Sequence, residues 1–149
     1  MDRVAIALGS NLGDRTAHLD YAAGRLSHLL DHVVVSDYIE TAPVGVGPQP
    51  PFLNAAVVGE TALSPRDLLE ALLAIERDRG RERPFPGAPR TLDLDLILYG
   101  DGELHEPGLE VPHPRFRERR FVLEPLTQIA PHAIDPVTGR TIRELLDAL

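Results

Sequence analysis

The amino-acid sequence predicts an α+β domain: a ferredoxin-like (split βαβ) sheet core, helices packed on it and additional helices toward the C-terminal end. Three observations carry that prediction. Stretches at 3–10, 32–40, 52–61 and 91–100 are β-branched, apolar or alternating, whereas 15–30 and 64–80 repeat their apolar residues at helical spacing. Read in order, these segments give β-α-β-β-α-β. The chain has 149 residues, 43% hydrophobic and 26% charged, with no internal repeat or linker, which suits a single domain over 1–149.

The first strand, "RVAIALGS", ends in a Gly-Ser-Asn turn. Asp14 then caps a helix whose face is Leu19, Ala22, Ala23, Leu26, Leu29 and Leu30. "HVVVSDYIE" (32–40) reads as the second strand, the proline-rich 41–52 as irregular, and "FLNAAVVGET" as the third strand. The second helix starts at a Ser64 cap, with Pro65 in its first turn and Asp67 three residues after the cap. Its buried stripe is Leu68, Leu69, Leu72, Leu73 and Ile75, and Gly80 stops it. "RERPFPGAPR" (81–90) is a second irregular loop, followed by the fourth strand, "TLDLDLILYG". The leucines of that strand make it look central in the sheet. "GDGE" turns toward a short fifth strand, and small helices are expected over 121–129 and in "TIRELLDAL".

Composition excludes several classes of function. A net charge of −8 argues against a broad nucleic-acid surface, and the absence of cysteine removes disulfides and thiolate metal sites. No stretch approaches the roughly 18 apolar residues of a membrane span, and "MDRVAIALGSNLGDR" has too short an apolar run for a signal peptide. The expectation is a soluble, cytoplasmic protein. All fifteen basic residues are arginines, nine of them in two windows: Arg77, Arg79, Arg81, Arg83 and Arg90, then Arg115, Arg117, Arg119 and Arg120. A codon bias toward arginine would by itself explain the absence of lysine, whereas the clustering suits bidentate binding of phosphate oxygens. Seven of the fourteen prolines lie in the two irregular loops, 41–52 and 81–90, which read either as stiffened lids or as ordinary surface loops with turn prolines.

Asp93 and Asp95 carry the strongest chemical signal. Two residues apart in a strand, they share one face, while Leu92, Leu94 and Leu96 share the other. Adjacent carboxylates repel and are costly to bury without a cation. A solvated edge strand would tolerate them; alternatively they hold Mg²⁺, which takes a few carboxylates together with waters and phosphate oxygens. Arg90 and the arginine loop just upstream favour the second reading. His113, held between Pro112 and Pro114, is either a turn residue or a hydrogen-bond donor to phosphate. Asn54 opens an apolar strand and needs partners for both ends of its amide. Phe52 and Phe121 flank these elements and either pack in the core or stack on a flat ring. His18, His28, His32, His105 and His132 have no metal-ligand spacing and read as surface residues. No GxxxxGK[ST] loop is present. The residues alone reach a Mg²⁺-dependent enzyme that handles a polyphosphate.

"ALGSNLGDR", "FLNAAV", "PRTLDLDLILYG" and "VPHPRFRERRFVLEPLTQIAP", in that order across nearly the whole chain, resemble the 6-hydroxymethyl-7,8-dihydropterin pyrophosphokinases of folate biosynthesis. The resemblance implies transfer of pyrophosphate from ATP to the hydroxymethyl group of the reduced pterin, with release of AMP, on a ferredoxin-like fold with two Mg²⁺ ions. It implies that Asp93 and Asp95 bind both metal ions. Glu76, Arg81, Arg83, Arg90, His113 and Arg119 would address ATP, with Arg81, Arg83 and Arg90 also acting in catalysis beside Asp93 and Asp95. Thr41, Pro43, Val44, Phe52, Asn54 and Phe121 would form the pterin site. It implies small-molecule partners only, with no nucleic acid or membrane, and a monomer is expected. Family members often have a tryptophan before Pro-Arg-Thr; this chain has none, and Phe85 is the candidate replacement. Arg119 and Arg120 are adjacent, leaving open which of them faces ATP. The competing readings are an ADP-releasing Mg²⁺ phosphotransferase and a ferredoxin-like module binding RNA or a regulatory small molecule.

Overall fold

The computed structural model describes residues 1–41, 50–80 and 91–149. Its elements are β1 (Asp2–Ser10), α1 (Arg15–Leu29), β2 (Asp31–Val35), β3 (Ile39–Thr41), β4 (Phe52–Thr61), α2 (Pro65–Asp78) and β5 (Asp93–Tyr99). After these come β6 (Leu104–Glu106), β7 (Leu109–Val111), a 3-10 turn (Phe116–Glu118), α3 (Arg120–Ile129) and α4 (Ile142–Asp147). The main sheet runs β2-β4-β1-β5, with β3 also on β4 and every pairing antiparallel. That is the strand order of a split βαβ core. β6 and β7 form a separate hairpin.

The predicted strand 32–40 is two strands. Ser36 separates them: its Oγ accepts the Ala56 N–H at 2.8 Å and donates to the Asp37 carbonyl at 2.9 Å. A side chain therefore takes one place in the ladder, and the backbone turns there before β3 rejoins β4. Both helix caps stand where the sequence places them. The Asp14 carboxylate accepts from Ala17 N, and Ser64 Oγ accepts from Asp67 N with proline in the first turn. Gly80 ends α2 with φ +81°, a conformation costly for any residue with a Cβ.

The sheet divides the interior in two by simple alternation. Val4, Ile6 and Leu8 of β1 join Leu53, Ala55 and Val57 of β4 and Leu92, Leu94 and Leu96 against α1 and α2. Ala5, Ala7, Ala56 and Val58 form the other face, under Phe116, Val122, Leu123, Leu126, Ile142 and Leu145. The small side chains on that second face let α3 lie close to the sheet. Between Ala5 and Ile6 the β1–β5 register shifts by one residue, so Ile97 and Leu98 both belong to the second core. No helix among the described residues is long and apolar enough to cross a membrane.

Candidate active site

Strand register assembles the site on the α3 side of the sheet. Gly9 of β1 pairs with Asn54 of β4 on one side and Asp93 of β5 on the other. Ala7 likewise lies between Ala56 and Asp95. Directly opposed residues share a face, so Asn54, Gly9 and Asp93 form one row and Ala56, Ala7 and Asp95 the next. Both aspartates are half-buried. Among the described residues no group of three or more His, Cys, Asp or Glu comes together as a metal cage. The donor set is a pair of hard carboxylates, which fits Mg²⁺, an ion that keeps waters and takes phosphate oxygens as its remaining ligands.

Strand β5 occupies the end of the sheet path, not its centre as its leucines suggested. Other groups occupy its outer edge. The Leu94 N–H, between the two aspartates, donates to the Glu76 carboxylate at 2.7 Å, and the His113 N–H donates to the Ile97 carbonyl at 3.0 Å. Glu76 is a carboxylate on α2 only 2% exposed, and this contact holds the middle of the Asp-Leu-Asp stretch from behind.

At the other end of the row, Asn54 is 4% exposed and its Nδ2 donates to Thr41 Oγ1 at 2.6 Å. That bond orients the amide and turns Oδ1 toward Gly9, where a Cβ would meet it at 3.3 Å and Phe52 Cδ1 at 3.7 Å. Glycine keeps this floor open. Asn11 Nδ2 and Arg15 Nη1 donate to the Pro50 and Pro51 carbonyls at 3.3 and 2.8 Å, fixing the chain where it enters β4. Gly9, Asn11 and Arg15 all lie in or beside the Gly-Ser-Asn turn. In the sequence this stretch carries a turn and part of the family resemblance, but no site role for these three residues.

His113 is half-buried on the segment leading to the 3-10 turn. Burial lowers its pKa, the nearby Arg119 charge lowers it further, and Asp93 opposes both. The Arg115 N–H donates to His113 Nδ1 at 3.2 Å. The neutral imidazole therefore carries its proton on Nε2. The Arg119 guanidinium lies 5.5 Å from the Phe121 ring centre. Of the adjacent arginines, Arg119 is half-buried and close enough to act on His113, whereas Arg120 is exposed. Thr41, Asn54, Asp93, Asp95, His113 and Arg119 thus belong to one side of the sheet, with Phe52 and Phe121 half-buried beside them. Pro43, Val44, Arg81, Arg83, Phe85 and Arg90 lie outside the described residues.

One histidine expected on the surface is partly buried and links two helices. His18 is partly buried, and its Nδ1 accepts from Arg79 Nε at 2.9 Å. Arg79 also stacks 4.8 Å from the Tyr21 ring centre, joining α1 to the end of α2. Helical spacing could not reveal this, because the partners are on different helices.

The comparisons with known proteins decide the family. The model of the 7,8-dihydro-6-hydroxymethylpterin-pyrophosphokinase (HPPK) family matches residues 5–131. The chain belongs to this family. A 2-amino-4-hydroxy-6-hydroxymethyldihydropteridine pyrophosphokinase of Bacillus subtilis is 46% identical over 132 residues, 87% of this chain and 79% of that protein. The Pseudomonas aeruginosa protein of the same name is 42% identical over 150 residues, 99% of this chain and 92% of that one. The crystal structure of wild-type Plasmodium falciparum HPPK-DHPS superposes on 99% of the chain with a TM-score of 0.78 at 15% identity. This chain spans 44% of that longer protein. The fold is therefore that of the HPPK domain, and the ferredoxin-like core predicted from element order agrees with it.

Proposed function

We propose that the chain carries out its family's reaction as a Mg²⁺-dependent enzyme: pyrophosphate passes from ATP to the hydroxymethyl group of 6-hydroxymethyl-7,8-dihydropterin, leaving AMP. The observation that carries this reading is the cross-strand row Asn54–Gly9–Asp93. It puts an amide able to read a ring edge two strand spacings, about 10 Å, from the first of the paired carboxylates. A bicyclic ring lying over Gly9 would present its polar edge to Asn54 and its hydroxymethyl arm toward the aspartates.

In this reading Asp93 and Asp95 hold two Mg²⁺ ions. Ions held there would supply positive charge against the triphosphate. Thr41 and Asn54 orient the pterin, with Pro43 and Val44 lining its pocket and Phe52 and Phe121 against its faces. Arg81, Arg83, Arg90, His113 and Arg119 address the phosphates of ATP and the charge that develops on the departing AMP. His113, neutral with its proton on Nε2, can donate one hydrogen bond there without adding charge. Glu76 serves ATP by holding β5 from behind. No side chain is required as a covalent nucleophile. In the same reading the enzyme is a cytoplasmic monomer acting on small molecules, with neither nucleic acid nor membrane as partner; the net charge of −8 weighs against a nucleic-acid surface.

The test is nucleotide consumption with and without the pterin, as Mg²⁺ is titrated against chelator. Pterin-dependent turnover that rises with Mg²⁺ and is lost in Asp93→Asn and Asp95→Asn supports the reading. Full turnover in chelator, or in either variant, would refute the metal role.

A further inference from the structure

Asp135 is a carboxylate with 0% exposure, in the connection between α3 and α4. Arg117 approaches it as a fork, Nε at 2.5 Å from Oδ2 and Nη2 at 2.8 Å from Oδ1. The Val137 N–H and the Thr138 hydroxyl donate to it as well, at 3.0 and 2.7 Å. Burial raises the carboxyl pKa, but these donors outweigh burial and hold it at about 2. The pair is thus fully charged at any working pH.

Both ends of the pair are fixed, one on each side of a boundary. Asp135 sits in a turn closed by the Ile134–Thr141 bridge, with Asp135 N donating to the Arg140 carbonyl and Gly139 N to the Asp135 carbonyl, each at 2.8 Å. That turn runs into α4, which starts at a capping box between Thr141 and Glu144 and whose buried Ile142 and Leu145 pack in one core with α3. Arg117 is the middle residue of the 3-10 turn, four residues after His113 and two before Arg119. Phe116 beside it is buried, with the Arg117 guanidinium 4.8 Å from its ring centre.

We propose that the Arg117–Asp135 ion pair is a positioning clamp for the nucleotide side of the site, setting where His113 and Arg119 stand relative to the aspartate strand. A turn of one 3-10 step has little stiffness of its own. A bidentate fork to an immobile carboxylate removes both its rotation and its translation. Asp135 touches no substrate and acts through the segment it holds, so it is a positioning residue and not a catalytic one. The inference rests on the reading that His113 and Arg119 address ATP.

The alternative is that the pair merely stabilises the fold, as buried ion pairs can. Asp135→Asn and Arg117→Lys separate the two; the second keeps the charge and loses the fork. Affinity for Mg²⁺ with α,β-methylene-ATP is measured by calorimetry, and AMP formation is measured in parallel for kcat and both KM values. The clamp predicts roughly tenfold weaker nucleotide binding in Asp135→Asn, a smaller loss in Arg117→Lys, and an unchanged pterin KM. In a His113→Ala, Arg119→Ala background, adding Asp135→Asn should cost less than about twofold more in kcat/KM. Equal losses in both backgrounds, or unchanged nucleotide affinity in both clamp variants, overturn the clamp. Where Asp135→Asn does not fold, Arg117→Lys decides. Absence of AMP from the wild-type protein sinks the reading of the function instead, and the calorimetric comparison still judges the clamp.

Discussion

Removing the Glu76 side chain tests how the aspartate strand is held. The Glu76 carboxylate is 2% exposed and accepts the Leu94 N–H at 2.7 Å, between Asp93 and Asp95. Glu76→Ala leaves that backbone donor buried without its acceptor. Loss of a hydrogen bond to a charged group costs about 1.5–3 kcal/mol. For a domain of this size, each kcal/mol moves Tm by about 2–4 °C, giving an expected fall of about 3–12 °C. Glu76→Gln keeps an acceptor oxygen but loses the charge, so its Tm should lie between. Leu72→Ala is the control: the same helix and the same core, with a leucine 1% exposed and a cost of about 2–5 kcal/mol, but no contact with the Leu94 N–H. Calorimetric melts give Tm, and initial rates of AMP formation are taken at a temperature where every variant is folded. Glu76→Ala should lose rate well beyond Leu72→Ala, because only it frees the backbone between the aspartates. A Tm within about 1 °C of wild type, or rates matching the Leu72→Ala control, would refute the reasoning.

Asp95→Asn should lower turnover by about 10²–10³-fold, the size of effect seen when one preorganised electrostatic group is lost. Its far-UV circular dichroism should match that of wild type, since Asn keeps the shape of the side chain; retained turnover in the folded variant contradicts the assignment. Gly9→Ala places a Cβ 3.3 Å from Asn54 Oδ1, while the other end of that amide is held at 2.6 Å by Thr41. Pterin KM should rise severalfold with ATP KM unchanged, and equal changes in both would count against a pterin floor at Gly9. His18 titrates below its ordinary 6.5, first because of burial and then because of Arg79. Its contribution to stability is therefore complete above pH 6.5 and lost as pH falls through the lowered folded value. Denaturant midpoints measured from pH 7.5 to 5 should drop less in His18→Asn than in wild type; parallel curves would show that His18 does not contribute.

Local chemistry made much of the fold legible. Asp14 and Ser64 are caps because their side chains reach backbone N–H groups three residues on, a relation contained in a few consecutive residues. The two faces of β1 follow from alternation alone, Val4, Ile6 and Leu8 against Ala5, Ala7 and Gly9. What escaped depends on contacts distant in sequence. The break at Ser36 exists because its hydroxyl finds Ala56 on β4. β5 looked central because Leu94 and Leu96 are buried, yet their cover is α2 and α1 while Glu76 and His113 occupy the strand's outer edge. Within the site, Asn54, Asp93 and Asp95 could be singled out as polar residues in apolar strands. Their placement in neighbouring rows around Gly9 and Ala7 needed the register. The Arg117–Asp135 pair carried no signal in the chain beyond the arginine cluster, because its partner arrives from the turn before α4.

The most direct test of the central claim is the identity of the nucleotide product when the protein is mixed with Mg-ATP and 6-hydroxymethyl-7,8-dihydropterin. The account predicts AMP, formed one for one with a pterin diphosphate and abolished by chelating the metal. ADP formed in its place, or nucleotide turnover indifferent to the pterin, would contradict it.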